Sequence, residues 1–298
     1  MKAPFFSLLK KICLLCFTSV LISCATIKVE DYEITQFPVD NQIRIVHVSD
    51  FHSNDFGKDE SKLVRRILDA RPDVIFFTGD TFEYNRKKNK TTENVKKLLK
   101  GIKGSAPFYY ITGNHEYFYY HNDDYAYIIK EYGGTVLRNE TAILELKQGI
   151  IEITGLDDPF ADMTLDERAL ETDNKEKYLA RLKLVSENAM KIKASYKDNP
   201  DFAFSVLLAH RPEYINEYLK YDYDLILSGH AHGGQWRFPP FINGLYAPMQ
   251  GFFPKYAGGR YDFSENGTVF IVSRGLSYQV PDIPRFFNPP ELVVIEVK

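Results

Sequence analysis

The sequence predicts an α/β fold in a single domain, and three observations support this prediction. Several short apolar runs end abruptly at small polar or acidic residues, as buried strands do where they enter a loop. Stretches with apolar residues at helical spacing lie between these runs. The chain of 298 residues is long enough for one large core, and no repeat or clear linker interrupts it after residue 42.

Apolar runs predict the strands in chain order. Most of them are apolar almost throughout, which is typical of strands covered on both faces. An alternating segment at 142–154, with Gln148-Gly149 at its centre, predicts a hairpin. The other predicted strands are 43–50 (IRIVHVSD), 73–80 (DVIFFTGD), 106–116 (APFYYITGNHE), 204–210 (FSVLLAH), 223–230 (YDLILSGH), 268–276 (TVFIVSRGL) and 290–298 (PELVVIEVK).

Helical patterns account for much of the sequence between the strands. The first stops before Pro72, and the second runs into Gly101, both of which are residues that commonly end helices. The segment 30–40 is polar and mixed, which suits a short tether or an edge strand, and we assign 25–41 to a tether. The predicted helices are 59–72, 93–102 and most of 165–197.

Composition narrows the class of protein. With 44% hydrophobic and 26% charged residues, the chain resembles an ordinary globular protein. Its net charge of -3, without a basic stripe, argues against a nucleic-acid partner. No feature of the sequence indicates a protein partner. All the cysteines lie at or before Cys24, so the domain that follows contains no internal disulfide.

Residues 1–24 have the organisation of a secretory signal. Lysines precede the apolar run ICLLCFTSVLI, which is shorter than the roughly 20 residues that a membrane span needs. The run ends in LISCA, which resembles the lipobox of bacterial lipoproteins and implies lipidation of Cys24. We therefore expect a lipid-anchored protein on the extracytoplasmic side of a membrane. The alternatives are an uncleaved anchor, which would allow the cytoplasmic face, and cleavage without lipid.

Potential metal ligands follow the predicted strands. Because the carboxyl ends of strands in an α/β sheet converge on one crevice, side chains at these positions can meet. Each motif alone is common in turns or cores, but their joint occurrence at the same kind of position favours a shared site. The candidate ligands are Asp50, His52, Asp80, Asn114, His210, His230 and His232.

The spacing and number of these ligands predict a dinuclear site. In extended backbone, residues two apart point to the same side, so the pairs Asp50/His52 and His230/His232 can face one pocket. Glycines flanking the second pair permit a tight turn and a close approach of substrate or metal. Seven oxygen and nitrogen ligands exceed the needs of one ion but suit two divalent ions that share a carboxylate. This ligand mixture favours Mn²⁺, iron or Zn²⁺ over Ca²⁺.

The ordered motifs D-x-H, G-D, G-N-H-E, H and G-H-x-H between residues 50 and 232 resemble those of the calcineurin-like metallophosphoesterase superfamily. The segments GHAHGGQ, HRPE and NPPELVVIE are similar to those of its bacterial membrane-associated branch, which extends the resemblance over 42–298. The resemblance implies two mixed β-sheets packed as a sandwich and flanked by helices. It also implies that Asp80 bridges two ions, one held by Asp50, His52 and His232 and the other by Asn114, His210 and His230.

Two further residues take roles from the same resemblance. His115 would protonate the leaving oxygen or stabilise charge on the phosphoryl group. Glu83 stands three residues after the bridging Asp80, where some relatives carry an acid that orients this histidine. The histidines His47 and His121 are expected to be structural.

The resemblance implies a phosphoesterase that hydrolyses a phosphodiester or pyrophosphate with metal-activated hydroxide at a membrane surface. One alternative is an enzyme similar to UDP-2,3-diacylglucosamine pyrophosphatase, whose substrate is lipid-linked. Another is a catalytically silent, metal-binding scaffold. Arg211 and Arg274 could contact phosphate, although a salt bridge is the simpler expectation. The aromatic stretches NHEYFYYHNDDYAY, QGFFPKYAGGRYDF and PRFFNPP could together form an apolar rim for a lipid-like substrate or a membrane-facing edge, although core packing is the simpler expectation for most of them.

Overall fold

A computed structural model describes residues 26–37, 42–83, 91–119, 124–163, 175–278 and 284–298. The signal segment with Cys24, the start of the predicted long helix before residue 175 and His121 lie outside these residues. Among the residues described, no helix has the length and hydropathy needed to cross a membrane.

The described elements alternate between strands and helices, as predicted. The strands are β1 (Lys28–Ile34), β2 (Ile43–Val48), β3 (Val74–Thr78), β4 (Phe108–Ile111), β5 (Thr135–Val136), β6 (Glu140–Leu146), β7 (Gly149–Leu156), β8 (Phe202–Ala209), β9 (Leu225–Ser228), β10 (Tyr246–Ala247), β11 (Gly251–Phe252), β12 (Gly259–Phe263), β13 (Thr268–Val272) and β14 (Glu291–Val297). The helices are α1 (Ser61–Asp69), α2 (Thr91–Ile102), α3 (Asn114–Tyr119), α4 (Asp124–Glu131), α5 (Lys175–Ser195) and α6 (Ile215–Tyr218).

Two mixed sheets form the centre of the molecule, which confirms the predicted fold class. The first has the order β1-β14-β2-β3-β4-β5, and the second has the order β12-β13-β9-β8-β7-β6. The hairpin predicted at 142–154 is the antiparallel pair β6 and β7, in which Leu146 lies opposite Gly149. The short strands β10 and β11 pair separately.

The central strands bury side chains on both of their faces, and one part of the core lies between the two sheets. Ile45 and Phe76 of the first sheet pack in one apolar cluster with Val206 and Leu227 of the second. Side chains on the opposite faces are covered by helices: α1, α2 and α4 pack on the first sheet, and α5 and α6 pack on the second. The strands are therefore apolar on both faces, which explains their continuous apolar sequences.

The segment assigned to a tether contains an edge strand, which corrects that assignment for residues 28–34. Strand β1 pairs in parallel with β14, from Lys28 opposite Glu291 to Ile34 opposite Val297. The polar sequence of β1 suggested a tether, because an edge strand of this kind exposes many of its side chains. Strand β14 in turn runs antiparallel to β2. Strand β1 consequently begins at the edge of the sheet where β2 ends.

A buried acid on β7 should make stability depend on pH. The Glu152 side chain is fully buried, and its Oε1 accepts a hydrogen bond from Thr154 Oγ1 at 2.8 Å. Burial raises the pKa of Glu152 from 4.5 to about 7, and the Thr154 hydrogen bond only partly opposes this rise. Because the folded protein holds this proton more tightly than the unfolded chain, stability is lost as the pH rises through 7.

Replacing Glu152 with glutamine should remove this loss. We compare the unfolding free energies of Glu152→Gln and wild type at pH 5 and at pH 8. Raising the pH from 5 to 8 should shift the difference between them by about 2 kcal/mol in favour of the variant. Urea titrations at the two pH values measure the difference. The exposed Glu145 of β6 provides the matched control, since Glu145→Gln should show no such gain. An equal effect of Glu152→Gln at both pH values would contradict the prediction.

Candidate metal centre

Asp80 belongs to two groups of buried side chains that could each hold a metal ion. In one group the ligand atoms of Asp80, His210 and His230 lie within 4.8 Å of one another. The Oδ2 atom of Asp80 lies 3.2 Å from His210 Nε2 and 3.6 Å from His52 Nε2. In the second group, the ligand atoms of Asp50, His52, Asp80 and His232 also lie within 4.8 Å of one another.

Asn114 is the first residue of α3, beside Asp80. The amide of the next residue, His115, donates a hydrogen bond to Asp80 Oδ1 at 2.8 Å. The preceding residue, Gly113, packs so tightly that an added Cβ would lie 2.2 Å from the same oxygen. The Asn114 side chain is buried, and its Oδ1 accepts no hydrogen bond from the described residues.

Unsatisfied polar atoms indicate what the site can bind. Buried nitrogen and oxygen atoms almost always have hydrogen-bond partners, so a cluster without them requires an explanation. Imidazole and carboxylate groups in this number suit divalent transition metals. The buried atoms for which the described residues provide no hydrogen-bond partner include His52 Nε2, Asn114 Oδ1, His210 Nε2, His230 Nε2 and His232 Nδ1.

Hydrogen bonds to the opposite ring nitrogen orient two of these histidines. His52 Nδ1 lies 2.7 Å from Glu83 Oε2, and His210 Nδ1 lies 2.6 Å from the carbonyl oxygen of Thr78. Such bonds fix the tautomer and leave Nε2 as the ligand atom. The same arrangement is found around many protein-bound metals.

The backbone around the ligands differs from the extended geometry expected from the sequence. The strands end at Val48, Thr78 and Ser228, before the ligands begin. Left-handed φ values occur in the turns that follow, where they are uncommon for residues other than glycine. The extended backbone assumed for the two pairs is therefore wrong. Asp50 and His52 nevertheless share one group, and His230 and His232 lie in different groups, as the family resemblance implies. The ligands with left-handed φ are Asp50 (51°), His52 (46°), Asp80 (48°), His230 (65°) and His232 (47°).

Glycines in the last motif allow neighbouring loops to pack closely. A Cβ at Gly229 would lie 1.8 Å from Ser49 Oγ and 2.4 Å from Asp50 Oδ2. At Gly233 it would lie 2.4 Å from Asn288 Oδ1. Close packing with protein atoms therefore requires glycine at these two positions.

Glu83 lies between His52 and His115. Its Oε2 atom is 2.9 Å from His115 Nδ1 as well as 2.7 Å from His52 Nδ1. Burial alone would raise the pKa of Glu83, but the hydrogen bonds from His115 and His52 lower it to about 2. Burial would lower the pKa of His115, whereas the charges of Asp80 and Glu83 raise it to about 9. The pair therefore consists of a carboxylate and a protonated imidazole.

Glu116 is a buried residue of the site to which the sequence assigned no role. Its carboxylate accepts hydrogen bonds from the backbone amides of Asp80 (3.0 Å), Thr81 (2.8 Å), Phe82 (3.1 Å) and Gly113 (2.7 Å). Glu116 thereby ties the loop after β3 to the loop after β4. The acid of the G-N-H-E motif, three residues after Gly113, was the available signal.

The remaining polar candidates have structural partners. Arg211 donates hydrogen bonds to both carboxylate oxygens of Asp158 at 2.7 and 3.1 Å. Arg274 forms a salt bridge with Glu291. His47 Nε2 lies 2.7 Å from Thr78 Oγ1. These contacts agree with the expected salt bridges and with a structural His47.

Comparison with known proteins identifies relatives across most of the chain. The family model for calcineurin-like phosphoesterases matches residues 43–234. The metallophosphoesterase YkuE of Bacillus subtilis is 32% identical over 261 residues, which are 86% of this chain and 79% of YkuE. A metallophosphoesterase of Campylobacter jejuni is 31% identical over 277 residues, but this chain spans only 63% of that protein's length. The UDP-2,3-diacylglucosamine pyrophosphatase LpxG of Chlamydia trachomatis is 26% identical, with 85% of this chain and 83% of LpxG covered.

Solved structures show the same fold at much lower identity. A putative 5'-nucleotidase from Staphylococcus aureus superposes with a TM-score of 0.51 and 14% identity over 85% of this chain and 54% of its own. The NAD nucleotidase of Haemophilus influenzae gives the same TM-score over 79% of this chain and 45% of its own. From the extent of the family match and the identity to YkuE, we conclude that this chain belongs to the calcineurin-like phosphoesterase family.

Proposed function

We propose that this protein hydrolyses a phosphodiester or pyrophosphate bond with the help of two divalent metal ions. The observation that carries the proposal is the position of Asp80 in two groups of buried ligands at once. A carboxylate shared in this way is the arrangement that a two-metal site requires. Mn²⁺, iron and Zn²⁺ are the ions that suit the ligand set.

The ligands divide between two sites around Asp80. When bound, two divalent ions would supply a nucleophilic hydroxide near neutral pH and neutralise charge on the phosphate. The ligands grouped with Asp50 come from the loops after β2 and β9. The ligands grouped with His210 come from the loops after β4, β8 and β9. The first ion would be held by Asp50, His52 and His232, the second by Asn114, His210 and His230, and both by Asp80.

His115 is proposed to donate a proton to the leaving oxygen. Its side chain is 20% exposed, whereas the side chain of the ligand candidate His210 is fully buried, so His115 faces the more open side of the site. The carboxylate of Glu83 contacts Nδ1 of His115 and favours the protonated form of the imidazole, which is the form that a general acid needs. Glu83 acts through His115 and is therefore a positioning residue.

Similarity to LpxG supports a second candidate substrate, UDP-2,3-diacylglucosamine. The printed name of that relative is UDP-2,3-diacylglucosamine pyrophosphatase, and its similarity covers most of both chains. That nucleotide is made in the cytoplasm, so this substrate requires a domain on the cytoplasmic face. A catalytically silent scaffold is less well supported, because every candidate ligand is present.

The proposed location is a membrane surface, with Cys24 as the lipid-bearing residue of an extracytoplasmic lipoprotein. The lipobox-like LISCA supports this location. Several acyl chains on one cysteine hold a protein firmly at a bilayer, whereas one chain does not. The alternative is an uncleaved amino-terminal anchor with the domain on the cytoplasmic face.

Changes at the metal ligands test the proposed activity. Asp80→Asn and His230→Ala should each lower the rate of phosphodiester hydrolysis by more than about 100-fold, because Asp80 belongs to both ligand groups and His230 to one of them. Metal content by elemental analysis and turnover of bis(p-nitrophenyl) phosphate are the measurements. The exposed Asp198 gives a matched control, since Asp198→Asn should retain both. Near-wild-type turnover by metal-replete Asp80→Asn would exclude the assignment.

His115→Ala separates proton donation from metal binding. We expect the bound metal to persist while kcat falls by about 100-fold for an ester with a poor leaving group, and by less for a nitrophenyl ester. Glu83→Gln should lower kcat in the same pattern but to a smaller extent. Loss of metal from His115→Ala would instead assign His115 as a ligand.

Cys24→Ser tests the lipid anchor. In a bacterial host that processes lipoproteins, wild type should be recovered in the membrane fraction with an acylated amino-terminal peptide. Cys24→Ser should lose the acyl mass and leave the membrane fraction. Cys16→Ser, a change within the apolar run, is the control and should behave as wild type. A wild-type amino-terminal peptide without acyl mass on Cys24 would contradict lipidation at this residue.

A further inference from the structure

Exposed apolar side chains are concentrated on one surface of the molecule. Phe241 is 90% exposed, Phe252 is 71% exposed and Phe253 is 65% exposed. Among the described residues, the large apolar side chains exposed elsewhere are the scattered Leu68, Tyr127 and Leu184. We call the concentrated surface the aromatic platform and define it by Trp236, Phe238, Phe241, Tyr246, Met249, Phe252, Phe253 and Phe287.

The aromatic platform is continuous. The ring of Phe238 lies 5.7 Å from that of Phe286 and 6.4 Å from that of Phe287. The backbone amide of Phe253 donates to the carbonyl of Leu245, whose own amide donates to the carbonyl of Trp236. An apolar surface of this kind on a soluble domain marks a site of contact with a lipid or a protein.

The aromatic platform is built directly on the loop that carries His232. The backbone amide of Leu245 donates to the carbonyl of Gly234 at 2.9 Å. The buried Asn288, next to Phe287, donates to the carbonyls of His232 at 2.7 Å and Gln235 at 3.1 Å. The platform and the candidate metal centre therefore share one edge of the sandwich.

The chain also enters the domain at this edge. Strand β1 begins where β2 ends, and the amide of Lys28 donates to the carbonyl of Pro290 at 2.8 Å. Lys28 lies four positions after Cys24, so even a fully extended chain between them reaches only about 14 Å. A lipid on Cys24 would thus keep the aromatic platform within a short distance of the membrane.

Positive charge lies beside the entry point. A cleft of about 420 Å³ is lined by Thr26 and Ile27 and by the α1 side chains Lys62, Arg65 and Arg66. Basic side chains next to an apolar surface are attracted to anionic lipid headgroups, and aromatic rings favour the boundary between headgroups and acyl chains. The basic side chains beside the point where the chain enters the domain thus complement an anionic bilayer surface.

We propose that the aromatic platform docks into the interface of a lipid bilayer, so that the metal centre opens beside the bilayer and receives phosphate esters held in it. The part of this inference that concerns the substrate rests on the proposed hydrolase function. The exposed rings, the basic cleft and the short connection to Cys24 would then all contribute to membrane contact.

Trp236 reports directly on this docking, since it is the only tryptophan of the chain and is 41% exposed. The full-length protein would be reconstituted with vesicles of phosphatidylethanolamine and phosphatidylglycerol, with and without brominated acyl chains. We expect a blue shift of Trp236 emission, strong quenching by the brominated lipids and loss of quenching by aqueous acrylamide.

A variant pair tests the role of the exposed rings. The triple change Phe241→Ser, Phe252→Ser and Phe253→Ser should abolish most of the quenching by brominated lipids. Leu68→Ser with Leu184→Ser removes exposed apolar side chains from other surfaces and should leave the quenching as in wild type. Thermal unfolding checks that both variants fold, and the acrylamide measurement on wild type gives a readout independent of the variants.

Three results would overturn the inference. The first is protein that floats with the vesicles while Trp236 remains accessible to acrylamide and is not quenched by brominated lipids. The second is no association with the vesicles at all. The third is a concentration-dependent blue shift without lipid, which would assign the aromatic platform to a second copy of the chain. Because fluorescence requires no turnover, an inactive metal centre with strong lipid quenching would refute only the proposed hydrolysis.

Discussion

The buried carboxylate of Asp80 is the constraint on which the centre of this structure depends. Its side chain is 1% exposed and lies among the imidazoles of His52 and His210. A charge removed from water is costly unless opposite charges or hydrogen bonds compensate it. The neighbouring imidazoles lower the pKa of Asp80 although burial opposes them. The fold therefore surrounds this carboxylate with imidazole nitrogens, which are also groups that bind divalent transition metals.

Glu116 holds the loops around Asp80 together through backbone hydrogen bonds. Burial raises the pKa of Glu116, and the nearby charge of Asp80 adds to the effect. Backbone amides of two loops donate to its carboxylate and offset part of this cost, as hydrogen bonds to a charged acceptor do. The loops after β3 and β4 are consequently tied to each other by contacts within the protein. Left-handed residues at the ligand positions can persist because the packed sheets and these loops hold them.

Local patterns in the sequence predicted the buried strands and the polar side chains that follow them, whereas the two-sheet sandwich was implied by the family resemblance. The apolar runs end where these polar side chains begin, and the fold brings the side chains together at one edge. Glu116 was missed although the G-N-H-E motif contains it, because its partners are backbone amides and a motif does not show which groups a side chain contacts. The left-handed turns at Asp50 and His230 were missed for a related reason, since packing between distant loops imposes them. Strand β1 was assigned to a tether because a polar edge strand lacks the apolar signal of a central one.

Strand β14 pairs along both of its edges, and this has a consequence for folding during synthesis. It lies between β1 and β2, so β1 pairs with residues made more than 250 positions later. The gap between β1 and β2 cannot close until β14 has left the ribosome. The first sheet therefore stays incomplete while the strands and helices between β2 and β14 are made, and its completion is a contact of very long range.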